Sequence, residues 1–217
     1  MQATRAGERP IANGRLSATD PSMTETLSSL TPLHVARRSE IARGIHAFEL
    51  RDASGAPLPA FTPGAHVTVR TPGGLLRKYS LCNDPREADR YVIAVKREPV
   101  GRGGSASLVD DCAVDSMLQC STPRNDFALN DKARELLFIA GGIGITPIVS
   151  MVRHLRVSGA PRFSLYYLTR SPEETAFADE LAFEQGAGRV VIHHDGGDAE
   201  RAFDLWPLFE RPRPVHV

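Results

Sequence analysis

The feature that most constrains the fold is the stretch ELLFIAGGIGITPIVSM, residues 135–151, where an apolar run passes through glycines into a helical pattern. The run is typical of a buried strand, and Thr146 and Pro147 suit an N-cap and a first helical position. After the turn, apolar residues recur at helical spacing: Ile145, Ile148, Val149 and Val152. Strand followed directly by helix is the building unit of a parallel sheet, so this half of the chain is expected to be α/β.

The rest of the C-terminal half repeats this alternation. RFSLYYLT, residues 162–169, and RVVIHH, residues 189–194, are strand-like, and residues 171–174, Ser-Pro-Glu-Glu, have the order of a capping box that opens a second helix. The alternation predicts a doubly wound parallel sheet over residues 132–217. Val215–Val217 begin one more strand that the chain does not finish, so we expect this domain to be truncated, with an open sheet edge.

Residues 29–131 have a different texture, with short alternating stretches separated by glycine and proline. The strand-like stretches are HVARRS, HAFELRD, AHVTVRT, LRKYSLCN and RYVIAVKRE. Such spacing predicts an antiparallel barrel, interrupted by one short helix near SASLVDD. Residues 1–28 are polar and lack periodicity, which indicates a disordered tail.

The bulk composition excludes several classes of protein. The 217 residues carry 26 Lys and Arg against 26 Asp and Glu, so there is no broad basic field for a nucleic acid or an anionic membrane. No apolar run reaches the roughly 18 residues of a membrane-spanning helix. Cys82, Cys112 and Cys120 lack metal-ligand spacing and indicate buried, reduced thiols in a cytoplasmic protein.

Two glycine-rich turns suggest phosphate binding. AGGIGITP, residues 140–147, follows a strand and opens a helix, where free N–H groups and the helix dipole favour a dinucleotide pyrophosphate. GRGGS, residues 101–105, offers backbone N–H groups, a hydroxyl and a charged arginine to a single phosphate. Either turn by itself is also compatible with an ordinary tight connection.

A third motif lies in the strand at residues 76–83. Arg77, Tyr79 and Ser80 stand close together, whereas a purely structural strand needs none of them. If a phosphate lies at GRGGS, a cofactor can extend along this strand. Arg77 then supplies charge at the phosphate end, Tyr79 packs against a ring or ribityl chain, and Ser80 hydrogen-bonds a ring nitrogen.

Six motifs in order give the chain a family resemblance. RKYSLCNDP, RYVIAVKRE, GRGGS, PRNDF, FIAGGIGITPIVSM and YYLTR resemble the reductase components of aromatic-ring oxygenases, the phthalate dioxygenase reductases and vanillate demethylase reductases above all. The resemblance covers residues 33–217. It implies a ferredoxin-reductase-like fold, with an FMN-binding barrel followed by an NAD domain. It also implies hydride transfer from NADH to FMN, and one-electron transfer through a [2Fe-2S] domain to a terminal oxygenase partner.

The resemblance also implies roles for individual residues. Those assigned to FMN are Arg77, Lys78, Tyr79, Ser80, Ala94, Val95, Lys96, Arg102, Gly103, Gly104 and Ser105. Those assigned to the nucleotide are Gly141, Gly142, Gly144, Ile145, Thr146 and Pro147. Arg170 joins them on its position alone, because it follows the second strand of the α/β part. Ser80 and Thr146 lie near the junction of flavin and nicotinamide, and no protein acid or base is required. FMN is preferred to FAD by analogy with the family.

The chain departs from the family in two respects. It lacks the Cys-Gly-Pro motif that lies beside the nicotinamide, and it lacks the four cysteines of the [2Fe-2S] centre. Either the chain is a fragment, which we favour because the break falls inside a predicted strand, or a separate protein supplies the iron–sulfur centre. Two other functions stay open, a stand-alone NADH:flavin or ferric reductase and a non-catalytic FMN-binding fragment.

Three further patterns are less specific. HHDGGD, residues 193–198, contains metal-capable side chains, but a strand end and a turn explain it better, so no metal is assigned. Arg170 suits a ribose or a 2′-phosphate, but Glu173 and Glu174 oppose a phosphate, which favours NADH over NADPH. The acidic residues at 110, 111 and 115 indicate a solvated turn.

Overall fold

A computed structural model describes residues 30–159, 162–210 and 215–216. The tail predicted for residues 1–28, and Val217, lie outside the described residues. Within these residues, an antiparallel sheet of six strands is followed by a parallel sheet of four strands, with helices in the second part. The predicted order of an antiparallel β unit followed by an α/β unit is therefore confirmed.

The antiparallel sheet has the strand order β4-β3-β6-β1-β2-β5. Its strands are β1 Thr31–Ala42, β2 Ile45–Arg51, β3 His66–Arg70, β4 Leu76–Ser80, β5 Tyr91–Lys96 and β6 Met117–Cys120. Helix α1, Gly104–Asp111, lies between β5 and β6. The two edges approach each other just beyond β4, where Leu81 forms an isolated antiparallel bridge with Ile93. The sheet therefore curls around one apolar core, with β4 and β5 side by side.

The parallel sheet has the order β10-β7-β8-β9. Its elements are β7 Glu135–Gly141, α2 Ile145–Ser158, β8 Arg162–Thr169, α3 Ala178–Gly186, β9 Val190–His194 and β10 Val215–His216. Residues 136–140 of β7 are buried, as expected for a central strand covered on both faces. Val215 and His216 pair with Leu137 and Phe138, which confirms the last predicted strand over those two residues.

The predicted N-cap at Thr146 is wrong. Residues Gly142–Gly144 already form a 3-10 turn, and α2 begins at Ile145 with Gly144 as its N-cap. The chain is therefore helical before it reaches Thr146, whose Oγ1 donates to the carbonyl of Ile143 at 3.1 Å. Pro147 consequently lies within the first turn of the helix rather than at its first residue.

The capping box predicted at residues 171–174 is also wrong. Ser171 precedes only a short 3-10 turn, Pro172–Glu174, and makes no side-chain cap. The Thr175 hydroxyl donates to the Ser171 carbonyl at 2.8 Å and closes this turn. Helix α3 begins later, after Phe177, which adopts a left-handed φ of 61°. The predicted helix therefore exists but starts several residues further along the chain.

The two sheets meet through a small apolar cluster and polar pairs. The cluster joins Ile45 and Ala94 of the antiparallel sheet to Ala176 of the α/β part, with Ile143 and Phe177 packed against it. Beside it, the backbone N–H of Arg43 donates to the Glu173 carbonyl at 2.7 Å, and the guanidinium of Arg43 pairs with the Glu173 carboxylate at 2.8 Å. These contacts fix the space between the sheets. No helix in the described part of the chain is long and apolar enough to cross a bilayer.

Candidate functional site: a cleft between the two sheets

A cleft of about 560 Å³ opens between the antiparallel sheet and the glycine turn of the α/β part. The side of the antiparallel sheet is formed by Lys78, Tyr79, Ser80, Ala94, Val95, Lys96, Glu98 and Ser105. Phe127, which packs against the core of the α/β part, also lines the cleft. The side of the α/β part is formed by Ile139, Ala140, Gly141, Ile143, Gly144, Thr146 and Pro147. The strand motif and the turn that follows β7 are thus two walls of one cleft.

The glycine turn presents open backbone to this cleft. A Cβ atom added to Gly141, Gly142 or Gly144 meets no described atom within 4 Å, so packing inside the protein does not require glycine at these positions. Gly142 has a φ of +48°, which side chains rarely adopt. The turn precedes the N-terminus of α2, where free N–H groups and the helix dipole favour an anion.

The other glycine loop, at residues 101–105, begins α1. Gly103 is the N-cap in a left-handed conformation with a φ of 79°. Gly104 is buried and lies against the Arg77 side chain. A Cβ atom at Gly104 would lie only 2.7 Å from Arg77 Nε. The Ser105 hydroxyl accepts a hydrogen bond from the backbone N–H of Glu98 at 3.1 Å, which leaves its own proton available. The Arg77 guanidinium thus lies against the N-terminus of α1, next in sequence to Ser105, which lines the cleft.

Tyr79 carries an unpaired polar atom. Its hydroxyl is buried and has no hydrogen-bond partner among the described residues. Burial raises the pKa of this phenol, and the positive charge of Arg77 opposes the rise only in part. A buried hydroxyl without a partner is costly in a folded protein. Tyr79 therefore suits a ligand that offers an acceptor or donor within the cleft.

The two lysines of the cleft are paired with carboxylates. Lys78 Nζ lies 3.3 Å from Asp126 Oδ2. Lys96 Nζ lies 3.3 Å from Glu174 Oε2, which joins β5 to the α/β part. Burial lowers the pKa of His66, and the nearby charge of Lys78 lowers it further. Both lysines are therefore engaged with carboxylates, whereas Arg77 packs against Gly104 at the α1 end and donates from Nη1 to the Leu76 carbonyl at 2.8 Å.

A smaller cavity of about 140 Å³ adjoins the cleft and shares Lys96 with it. Its other lining residues are Ile45, Gly142, Leu168, Thr169, Arg170, Glu174 and Asp195. Gly142 and Arg170, which the sequence assigns to the nucleotide, line this cavity and not the main cleft. The carboxyl ends of β7 and β8 therefore open onto it.

Some predicted residues lie outside the cleft lining. Arg77 and Gly104 pack against each other and do not line the cleft, and Arg102 and Gly103 are exposed in the loop before α1. Ile145 is fully buried in the core of the α/β part, so its contribution is to packing. The sequence missed Glu98, Phe127, Ile139, Ala140 and Ile143 as lining residues. Among these residues, Phe127 carries a sequence signal, because it ends the family motif PRNDF.

The histidines at the end of β9 are engaged in protein contacts. His193 Nε2 lies 2.7 Å from the Arg201 carbonyl, and His194 Nδ1 lies 2.8 Å from Thr169 Oγ1. Within the described residues, no group of three or more His, Cys, Asp or Glu is arranged to hold a metal ion. The three cysteines are buried and free, and burial raises the pKa of the Cys82 and Cys120 thiols to about 12.

Comparison with known proteins identifies close relatives. No family model matches the sequence. The chain is 55% identical over 182 residues to a phthalate 4,5-dioxygenase oxygenase reductase subunit of Pseudomonas putida, which corresponds to 84% of this chain and 56% of that protein. It is 41% identical over 184 residues to a vanillate O-demethylase oxidoreductase of Pseudomonas putida, with 84% of this chain and 57% of that protein covered.

A solved structure agrees with these matches. Phthalate dioxygenase reductase, described as a modular structure for electron transfer from pyridine nucleotides to [2Fe-2S], superposes with a TM-score of 0.83 at 51% identity. The superposition covers 88% of this chain and 60% of that structure. The chain therefore spans somewhat more than half of the length of the relatives it matches.

Proposed function

Because the chain belongs to the family of phthalate dioxygenase reductases and related oxygenase reductases, we propose that it forms the FMN- and NADH-binding part of such a reductase. In this proposal, a hydride passes from NADH to FMN, and single electrons then leave towards a [2Fe-2S] centre and a terminal oxygenase that acts on an aromatic compound. The observation that carries the proposal is the single cleft that joins β4, β5 and the glycine turn before α2.

Two features of the cleft fit FMN. The buried Tyr79 hydroxyl lacks a partner among the described residues, and Gly104 leaves room for the Arg77 side chain directly at the N-terminus of α1. Bound FMN supplies a ring that accepts a hydride and releases electrons singly. Arg77, the α1 N-terminus and the Ser105 hydroxyl bind its phosphate. Tyr79 and Ser80 orient the rest of the cofactor along β4.

The opposite wall suits the dinucleotide. Gly141, Gly142 and Gly144 leave the backbone open to the pyrophosphate, while Thr146 lies at the meeting point of the two cofactors. Orientation of the nicotinamide against the flavin is the main contribution of the protein, since hydride transfer needs no protein acid or base. Glu174 and Asp195 lie beside Arg170 and disfavour a 2′-phosphate, so NADH is the proposed donor.

The wider setting belongs to the same proposal. The flavin unit spans residues 29–131 and the nucleotide unit spans residues 132–217. The partner is a terminal oxygenase that receives electrons through an iron–sulfur domain or protein, as the relatives' names suggest. Neither a nucleic acid nor a membrane is expected as a partner, since the formal charge is balanced at 26 against 26. The free, buried cysteines agree with a cytoplasmic location.

The direct experiment is an absorbance spectrum of the purified chain with FMN, recorded before and after anaerobic addition of NADH. Bound flavin bands that bleach with NADH support the proposal. Flavin bands that persist after NADH is added indicate a chain that binds FMN but does not catalyse its reduction. Reduction of free flavin or ferric chelates that is equally fast with and without an iron–sulfur partner favours a stand-alone reductase.

The phosphate end is tested by Arg77→Ala and Ser105→Ala. Each removes a contact to a charged phosphate, and the cost of about 1.5–3 kcal/mol corresponds to roughly 10- to 100-fold weaker FMN binding. Arg37→Ala is the matched control, because Arg37 is exposed on β1 and does not line the cleft. Flavin fluorescence titration measures the affinities. Unchanged binding in both test variants would remove the phosphate assignment.

A further inference from the structure

The segment Leu81–Asn83, directly after β4, ties β4 to β5. Leu81 bridges Ile93, and the Cys82 N–H donates to the Val92 carbonyl at 2.8 Å. The Asn83 side chain adds a second tie, because its Oδ1 accepts from the Val92 N–H at 2.9 Å. The segment therefore fixes the relative position of the two strands that form one wall of the cleft.

Helix α2 holds the same segment from the opposite wall. The Ser150 hydroxyl donates to the Asn83 carbonyl at 2.9 Å, and Arg153 Nη1 donates to the Cys82 carbonyl at 2.7 Å. Ser150 and Asn83 are fully buried. Thr146, Ser150 and Arg153 are spaced four and three residues apart and share one helix face. The face that lines the cleft at Thr146 thus contacts the β4–β5 junction one to two turns later.

Arg153 is itself held in place from behind. Its Nε and Nη2 donate to the two carboxylate oxygens of Glu180 on α3, at 2.8 and 2.6 Å. Its guanidinium also lies 5.8 Å from the centre of the Phe177 ring. A bidentate pair fixes the plane of a guanidinium, so the nitrogen that reaches Cys82 has little freedom.

We infer that Ser150 and Arg153 are positioning residues for the proposed hydride transfer. They fix the glycine turn that precedes α2 relative to β4 and β5, and so fix the nicotinamide relative to the flavin. Neither residue lines the cleft. A displacement of about 1 Å from the reactive geometry can cost a hundredfold in rate, so a remote hydrogen bond of this kind can limit the reaction. The inference rests on the proposed function.

The test compares Arg153→Met with Arg156→Met in the full chain loaded with FMN. Arg156 lies on the same helix and pairs with Glu180 and Glu184, but in the described chain its hydrogen bonds do not reach residues 82–83. We expect Arg153→Met to slow flavin reduction at saturating NADH by about tenfold or more, with FMN affinity and the KM for NADH within about threefold of wild type. Arg156→Met is expected to reduce stability but to keep the rate.

Two further measurements separate positioning from general destabilisation. Amide hydrogen exchange at Cys82, followed without cofactor, is expected to accelerate in Arg153→Met and to stay at the wild-type rate in Arg156→Met. Arg153→Lys retains one donor for the Cys82 carbonyl and is expected to recover part of the reduction rate. Ser150→Ala removes only one hydroxyl and is expected to slow reduction with little change in melting temperature.

The outcomes distinguish the inference from the proposed function. Equal reduction rates in Arg153→Met and Arg156→Met overturn the inference and leave the proposed function in place. If Arg153→Met fails to fold, as judged by circular dichroism, wild-type rates in both Ser150→Ala and Arg153→Lys overturn it. A wild-type chain that binds FMN but is not reduced by NADH overturns the proposed hydride transfer, and the inference with it.

Discussion

Gly104 shows how the absence of a Cβ atom makes room for Arg77 at the proposed phosphate site. A Cβ atom there would lie 2.7 Å from Arg77 Nε and 3.0 Å from Arg77 Cγ. Both atoms belong to a flexible side chain, so the backbone can stay in place while the guanidinium moves. The glycine is therefore required by the position of Arg77, and less by the conformation of the loop.

Gly104→Ala is expected to weaken FMN binding while the fold persists. Displacement of Arg77 removes part of one charged phosphate contact, so the affinity falls by roughly five- to tenfold. The melting temperature changes little, because alanine is favourable in a helix. Gly101→Ala is the control, since a Cβ atom at Gly101 would approach only Glu98 Cβ, at 3.8 Å. Equal FMN affinities in the two variants would contradict this account of Gly104.

For single residues, contacts could be predicted from the sequence where both partners belong to short motifs. Arg77 and the loop at residues 101–105 were predicted to bind the same phosphate and hence to lie close together. In the structure, Arg77 packs against Gly104. Contacts such as Lys96 with Glu174 could not be predicted, because the partners lie 78 residues apart in the chain. The burial of Ile145, by contrast, follows from the helical spacing that it shares with Ile148, Val149 and Val152.

Helices α2 and α3 are joined by a network of arginines and glutamates. Arg156 donates to both carboxylate oxygens of Glu184, at 2.6 and 2.8 Å, and Glu184 is almost fully buried. Burial alone would raise the pKa of the Glu184 carboxyl, but the hydrogen bonds and charge of Arg156 outweigh it, so the pKa lies below its usual value. The ionised form is thus the one that stabilises the helix pair.

Because folding lowers the pKa of Glu184, the contribution of this residue to stability depends on pH. A carboxyl whose pKa is lowered on folding contributes its full stabilisation above its unfolded pKa, near 4.5, and loses it as the pH falls towards the folded pKa. Glu184→Gln is expected to reduce the free energy of unfolding by about 1–3 kcal/mol at pH 7. The difference in the free energy of unfolding between wild type and Glu184→Gln should shrink as the pH falls well below 4.5. At such pH the wild-type carboxyl is protonated, and so is uncharged like the glutamine amide.

Urea denaturation at a series of pH values measures this difference in the free energy of unfolding. Glu200→Gln is the control, because Glu200 is exposed in a 3-10 turn and should show a small difference at every pH. A Glu184→Gln deficit that stays constant down to low pH would show that the carboxylate charge is not what stabilises the pair.

Elements were predicted best where a pattern was long. Strand β7, helix α2 and strand β8 carry clear periodicity and were found with nearly correct bounds. Strand β6 was missed because Met117–Cys120 is too short for a pattern and is fixed by pairing with β1 and β3. The predicted capping box gave only a 3-10 turn, because the Thr175 hydroxyl closes the chain back onto Ser171. Pairing with distant strands decided the first case, and a local hydrogen bond decided the second.

At the scale of the whole molecule, the cleft exists only because the two sheets hold a fixed relation. The order of an antiparallel unit before an α/β unit could be predicted from the change of pattern along the chain. The surface that joins them could not, since its members come from distant segments and include small residues such as Ala94 and Ala176. Small apolar residues carry little periodic signal, yet they set how closely two layers approach.

Ala176→Asp tests whether this surface holds the cleft together. Ala176 is fully buried in the cluster with Ile45, Cys82 and Ala94, so an aspartate there places a charge in an apolar contact. We expect FMN to bind within about fivefold of wild type, because β4 and α1 lie in the other unit, while reduction by NADH slows by about tenfold or more. Stopped-flow reduction and flavin titration measure the two quantities separately.

The control and a milder variant make this result specific. Ala182→Asp adds the same charge at an exposed position of α3 and should leave both FMN binding and reduction near wild type. Ala176→Ser introduces a smaller disturbance and should give an intermediate rate if the aspartate variant does not fold. Wild-type reduction rates in both Ala176 variants would mean that the ion pairs at Glu173 and Glu174, rather than the apolar contact, keep the nicotinamide wall against the flavin wall.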